Sequence, residues 1–212
     1  MRSIFIICLI GLFAFSCTEE PTKKSIQIQS ASGECLYSLE GAKSDLQWTA
    51  FKTSSKVAVS GTFDEFSISS GLAKGSALDH LASGQFQIVV SSLNSNNPDR
   101  NQKIINFFFG KLLENVTLEG AVKSLEGNDT EGTAIVELFL NGMNKLVPLQ
   151  YSIDGGSIAL SGTIDVLDWN AGAGIEALNQ ACYELHKGED GESKLWSVVD
   201  LKLNTFLSPN CN

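Results

Sequence analysis

Histidine, cationic charge and long apolar runs are what this chain of 212 residues has least of. It has two histidines, His80 and His186, and neither belongs to a His-x-x-x-His, a Cys-x-x-Cys or a carboxylate cluster at metal-ligand spacing, so no metal site is nominated. His186 with Asp190 is the one conceivable weak metal pair, and a loop histidine near a helix end is better read as complementing the helix dipole. No nucleophile elbow, phosphate loop or dinucleotide fingerprint is present, and Ser60 and Ser161 precede Gly-Thr in strand-like runs, not at a strand-to-helix turn. No catalytic residue and no cofactor are therefore assigned, and a hydrolase has no supporting constellation. Fifteen Lys and Arg against 24 Asp and Glu give a net charge of −9 with no basic cluster, which phosphate backbones repel. That excludes nucleic acid as an expected partner. Only four prolines, with 43% hydrophobic residues, describe an ordinary folded chain large enough for one substantial core.

The one long apolar run lies at the start. Arg2 precedes Ile4 to Phe15, which is short for a membrane span but suits the apolar core of a signal peptide over residues 1–16. Ala14, Phe15 and Ser16 then lead into Cys17, which resembles a bacterial lipobox with Phe at a position usually held by a small residue. The expectation is lipidation at Cys17, with several fatty chains giving stable membrane anchoring, followed by a polar tether over residues 17–33. A plain signal peptide cut nearby is the alternative. No Asp follows Cys17, which resembles the outer-membrane class of enteric lipoproteins. Glu19-Glu20 resembles surface-export signals of some Bacteroidetes lipoproteins, so the protein is placed in the bacterial envelope, facing the periplasm or the cell surface. In that oxidising compartment Cys35, Cys182 and Cys211 leave one bridge and one free thiol. Cys35 with Cys182 is the expected pair, and Cys35 with Cys211 its main competitor.

The remainder, residues 34–212, reads as one β-rich domain. Strand-like segments fall at Cys35–Glu40, Asp45–Lys52, Lys56–Ile68, Gly84–Leu93, Val116–Ser124, Thr133–Asn141, Lys145–Asp154, Ser157–Asp168 and Leu195–Leu207, punctuated by Gly, Asn and Asp. In Lys56–Ile68 the apolar parity switches after Phe63, so a bulge or corner at Asp64-Glu65 is predicted to restore one apolar face. Gly61, Gly120 and Gly162 interrupt strands where a barrel bends or leaves room near its backbone. A helix is predicted over Ala171–His186 with Asn170 as its cap, and a second from Pro98 through Ile104, Ile105, Phe108 and Phe109 with Asn97 as its cap. Short antiparallel connections with two covering helices favour an all-β, antiparallel closed barrel of about eight strands, with a β-sandwich as the alternative.

Three stretches carry a resemblance. Residues 100–109 (Arg100, Asn101, Lys103, Ile104, then Phe107, Phe108, Phe109) are similar to an Arg-Asp-x-His-Leu…Asp-Phe-Phe run. The hairpin Leu138–Leu149 is similar to Leu-Thr-Ile-His-Gly-Val-Thr-Lys-x-Val-x-Leu, and Val57–Ile68 to Val-x-Gly-x-Phe-x-x-Phe. Together they resemble the YceI-like, polyisoprenoid-binding-like family, with Asn101 for Asp, Lys103 for His, Asn141 for His and Asn144 for Thr. The resemblance implies a lipocalin-like barrel holding a long apolar ligand, a polyisoprenoid or isoprenoid quinone. Trp48, Phe63, Phe86, Ile88, Tyr151 and Ile164 would line it, and Gly61 and Gly162 would leave space. Read from the residues, Arg100 and Lys103 are either a solvated helix face or the one cationic pair able to meet an anionic headgroup, and Phe107–Phe109, Phe108 among them, pack helix against barrel or also touch what lies inside. Oligomeric state is left open, a homodimer included. The competing class is a structural or interaction lipoprotein whose barrel is filled by its own side chains.

Overall fold

The computed structural model describes residues 35–113 and 116–211; the signal-peptide, tether and Cys17 expectations lie outside the described residues. Among the described residues, ten strands are laid down in chain order. They are β1 (Leu36–Lys52), β2 (Val57–Phe63), β3 (Phe66–Ser69), β4 (Gln85–Val89), β5 (Leu93–Asn94), β6 (Thr117–Gly127), β7 (Glu131–Leu140), β8 (Met143–Asp154), β9 (Ser157–Asp165) and β10 (Leu195–Asn210). All pairings are antiparallel, in the order β3-β4-β6-β7-β8-β9-β10-β1-β2-β5.

The two ends of that order are one piece of chain. β2 runs into β3 through the bend Asp64-Glu65, and β4 runs into β5 through a single turn at Val90–Ser92. Asp64 N–H donates to the Ser92 carbonyl and Val89 N–H to the Glu65 carbonyl, both at 2.9 Å, so the bent strands stay paired across the corner. Counted as bent strands, the ten become eight, and the ladder closes on itself. The corner does what the parity switch requires: Phe63 before it and Phe66 and Ile68 after it all face inward. Hairpins are set by local chemistry, as at Asn141-Gly142, where φ values of +50° and +72° give the twist that matches the flanking strands.

Closure is incomplete at one end. No ladder joins β3 to the first half of β1; the segment between β3 and β4 fills that place, with α1 (Ala77–Ala82) at its centre. Ser76 and Asp79 cap α1 reciprocally, a signal that sequence reading passed over. Ala77 and Leu81 are buried, and Tyr37 and Gly75 exchange backbone hydrogen bonds. His80, also buried, ties the strap together: its Nε2–H donates to the Tyr37 carbonyl (2.8 Å), while Nδ1 accepts from the Ser70 hydroxyl (2.7 Å).

The opposite end is covered by two segments. One is α2 (Pro98–Lys103), which continues as a π-helical turn over Ile104–Phe108 and a 3-10 turn over Phe109–Lys111. The other is a 3-10 turn at Val166–Trp169 followed by α3 (Gly172–Ala181). The helix expected over Ala171–His186 is thus shorter. Asn170 does not cap it, because it adopts a left-handed conformation (φ +55°) that ends the preceding turn, and Cys182 closes the helix. Trp169, 1% exposed, anchors this cover with its indole N–H on the Leu138 carbonyl (3.1 Å).

The cysteine pairing differs from expectation. β1 and β10 pair from Leu36 opposite Asn210, which places Cys35 beside Cys211, and these two form the disulfide. Cys182 is free and buried among the cover's apolar side chains, at the other end of the barrel from Cys35. Chain termini joined as neighbouring strands, not helix position, decided which thiols meet.

Candidate functional site

Every strand contributes alternate residues to the inside. Leu46, Trp48 and Ala50 of β1, Leu149 of β8, Ile164 of β9, and Val199 and Leu201 of β10 all line a cavity of about 260 Å³ inside the barrel. Ile104, Phe108 and Phe109 close it from above, the π-helical turn bringing all three onto the face that meets the barrel. Phe108 and Phe109 pack edge to face with centroids 5.0 Å apart. Polar side chains in the lining are few. The indole N–H groups of Trp48 and Trp196 are spent on the Thr62 and Thr53 carbonyls (3.2 and 2.8 Å), Thr205 shares a hydroxyl hydrogen bond with Ser44 (3.0 Å), and His80 is held as described. Exposed Gln85 and Lys202 also border it, and the rest of the wall is apolar, so its interior offers chiefly dispersion contacts.

Of the residues singled out in the sequence, Trp48, Phe63, Phe86, Ile88, Phe108 and Ile164 line this cavity together. Tyr151 is buried on the inward face of β8, but its hydroxyl donates to the Asn128 carbonyl (2.6 Å) near the α1 end, so it seals the barrel floor and is not among the lining residues. Gly61 and Gly162 do not open onto empty space. The Trp48 indole lies directly over Gly61, and the Leu149 side chain covers Gly162, where an added Cβ would sit 2.6 Å from Leu149 Cδ2. The glycines let larger lining side chains lie flat against the wall. Gly120 does the same for Phe86.

Arg100 and Lys103 sit half-buried on α2 and do not line the cavity. At Asn101, which stands where the resemblance has Asp, the side-chain oxygen accepts from Ser95 N–H (2.9 Å) and Ser95 Oγ (2.6 Å), fixing the corner before α2. Asn141, in place of His, accepts from Leu113 N–H (2.8 Å) and donates to the Trp169 carbonyl (2.7 Å), joining both covers to the β7–β8 hairpin. Sequence reading missed Trp196, Phe66, Leu118, Leu138 and Ile175 as lining residues, although the strand residues among them were available from the inward parity of their strands.

His186 is not a cation at a helix end. It is 7% exposed, its Nδ1–H donates to Asn179 Oδ1 (2.8 Å), and Asn179 is itself oriented by donating to the Ser193 carbonyl (3.3 Å). Burial, then the positive charges of Lys52 and Lys103, lower its pKa from 6.5 to about 4. A neutral folded imidazole and a protonatable unfolded one make stability complete above pH 6.5 and lost as pH falls toward 4. The expected contribution, discounted for partial solvation, is about 1–2 kcal/mol. Urea unfolding midpoints of wild type and His186→Asn between those limits check this. The variant should show a shallower decline with acid, and parallel curves would show that His186 is not the group responsible.

These features define an antiparallel, lipocalin-like barrel with a largely apolar interior and a helical cover. Within that class the chain belongs to the YceI-like domain family, which it matches over residues 37–204. Among solved structures it resembles a polyisoprenoid-binding domain from Saccharophagus degradans implicated in plant cell wall breakdown, with 17% identity, a TM-score of 0.56, and coverage of 83% of this chain and 98% of that one. BcnA from Burkholderia cenocepacia matches at 18% identity and TM-score 0.49 over 76% of this chain and 94% of that one. A Campylobacter jejuni YceI protein matches at 17% identity and TM-score 0.46 over 73% and 85%. No curated protein matches the chain.

Proposed function

We propose that this protein is a lipid-anchored envelope protein that holds a long apolar ligand of the isoprenoid type, a polyisoprenoid or isoprenoid quinone, inside its barrel. The observation that carries the reading is the predominantly apolar cavity of about 260 Å³ inside the barrel, with no buried side-chain polar atom among the described residues left without a partner. Each CH₂ moved from water into such a space contributes about 0.8 kcal/mol, so a long hydrocarbon chain is the ligand chemistry best matched to it. The likeness in fold to a domain named for polyisoprenoid binding points the same way. Cys17 supplies the anchor, with its lipid chains holding the barrel at the outer membrane. Mass spectrometry of protein purified from its native membrane tests both halves. The denatured chain should begin at an acylated Cys17, and the gently ionised native protein should carry the additional mass of an isoprenoid lipid. An unmodified N-terminal region rejects the anchor, and a native mass equal to the denatured one rejects the ligand.

A further inference from the structure

The two segments that cover the barrel are apolar on both faces. Ile104, Phe108, Phe109, Val166, Ile175 and Leu178 turn inward to the cavity. Yet Phe107 (40% exposed), Leu113 (68%), Val116 (72%), Leu167 (49%), Tyr183 (44%) and Leu185 (59%), on or beside the same segments, stand in solvent. Six of the eleven large exposed apolar side chains among the described residues thus surround one end of the molecule. Burial in the fold accounts for the inner set but not for the outer one.

Charge is segregated along the same axis. Residues 52–57, 97–113 and 165–195, which form or flank this end, carry seven Lys and Arg against eight Asp and Glu; the other described residues carry five against twelve. The walls and the α1 end would be repelled by an anionic surface, and the covered end is nearly balanced. Its lysines lie along apolar and aromatic surface: Lys187 over Tyr183 (5.0 Å), and Lys56 and Lys194 over Trp196 (4.3 and 3.6 Å). The Lys52 ammonium binds the Leu185 carbonyl at 2.9 Å. Long cationic stems beside exposed Leu185 and Tyr183 and half-buried Trp196, with Lys187 also paired to Glu184 at 2.8 Å, are a side-chain set suited to a membrane–water interface.

From this arrangement we infer that the covered end docks on a lipid bilayer, with Phe107, Leu113, Leu185 and their neighbours in the headgroup–acyl boundary and the lysines at the phosphates. The inference deepens the ligand reading, because the same cover that faces the bilayer roofs the cavity, and a lipid could pass between them without crossing water. It also sets an orientation. Cys35 and the α1 end lie at the other end of the barrel and would face away from that bilayer.

Nitroxide labels at Leu185→Cys, and separately at Leu72→Cys on the α1 side (40% exposed), distinguish this orientation from its reverse in the full chain. Both positions are exposed, so neither change threatens the fold, and wild type carried through the same labelling reaction controls for the buried Cys182. On adding vesicles of phosphatidylcholine with a minor share of phosphatidylglycerol, the Leu185 label should gain collisions with oxygen and lose collisions with a water-soluble nickel chelate, each several-fold, while the Leu72 label stays as in water. A Leu185 label that stays in water, or a Leu72 label that inserts instead, overturns the inference. So does a Leu185 label shielded without vesicles in proportion to protein concentration, which would assign this end to a second copy of the chain. The measurement needs no bound isoprenoid, so its failure and the failure of the ligand reading are separable.

Discussion

Replacing Cys35 and Cys211 together by serine is expected to lower folding stability by about 5 kcal/mol, the chain-entropy value for a cross-link closing 176 residues. The bond joins the first and last described strands, β1 and β10, at the end where the ladder is least complete and where the α1 strap bridges Tyr37 to Gly75. Loss of the cross-link should therefore act through the unfolded chain and through fraying of this seam together. Guanidinium unfolding of the double variant beside wild type measures it. Non-reducing peptide mapping should find Cys35 linked to Cys211 and Cys182 free. A bridge to Cys182, or a double variant as stable as wild type, contradicts the assignment.

The disulfide also marks where sequence reading stopped. Alternation of apolar and polar residues located nearly every strand, because a half-buried strand must alternate and nothing in the tertiary structure overrides that. The corner at Asp64-Glu65 was legible for the same reason: Phe63 and Phe66 can share a face only if the chain bends between them. Parity grouped the apolar residues of each strand on one face, but which face turns inward was not legible from the sequence; six of the residues named from the resemblance line the cavity. What failed depended on contacts between distant segments. Pairing of Cys35 with Cys211 requires knowing that β1 and β10 are neighbours. Asn170 looks like a helix cap until its left-handed backbone is seen, and His186 looks like a surface cation until Asn179 and the covering chain bury it. Gly61 and Gly162 read as open space because a sequence does not show that Trp48 and Leu149 lie across them.

Gly162→Leu is expected to abolish retention of an isoprenoid chain. Its new side chain would start 2.6 Å from Leu149 Cδ2, with the Pro148 carbonyl 3.3 Å away, so Leu149 must swing off the wall and into the lumen. Leu149 lines the cavity, and the space it would enter is the space proposed for the ligand. Because that space is there to receive it, the cost in thermal stability should fall below the ~1–3 kcal/mol of overpacking a filled core. A barrel filled by its own side chains would give the reverse, a badly destabilised variant and no difference in retained lipid.

Where a bound chain sits is read most directly by photocrosslinking. A long-chain isoprenoid bearing a diazirine on its hydrocarbon tail, mixed with delipidated protein and irradiated, should label inward residues such as Phe63, Ile88, Ile164 and Val199. Gly162→Leu should remove that labelling. Adducts confined to outward residues such as Phe139 and Asn144, which line a separate polar groove on the outer wall, or no adduct at all, would contradict an apolar ligand held inside the barrel.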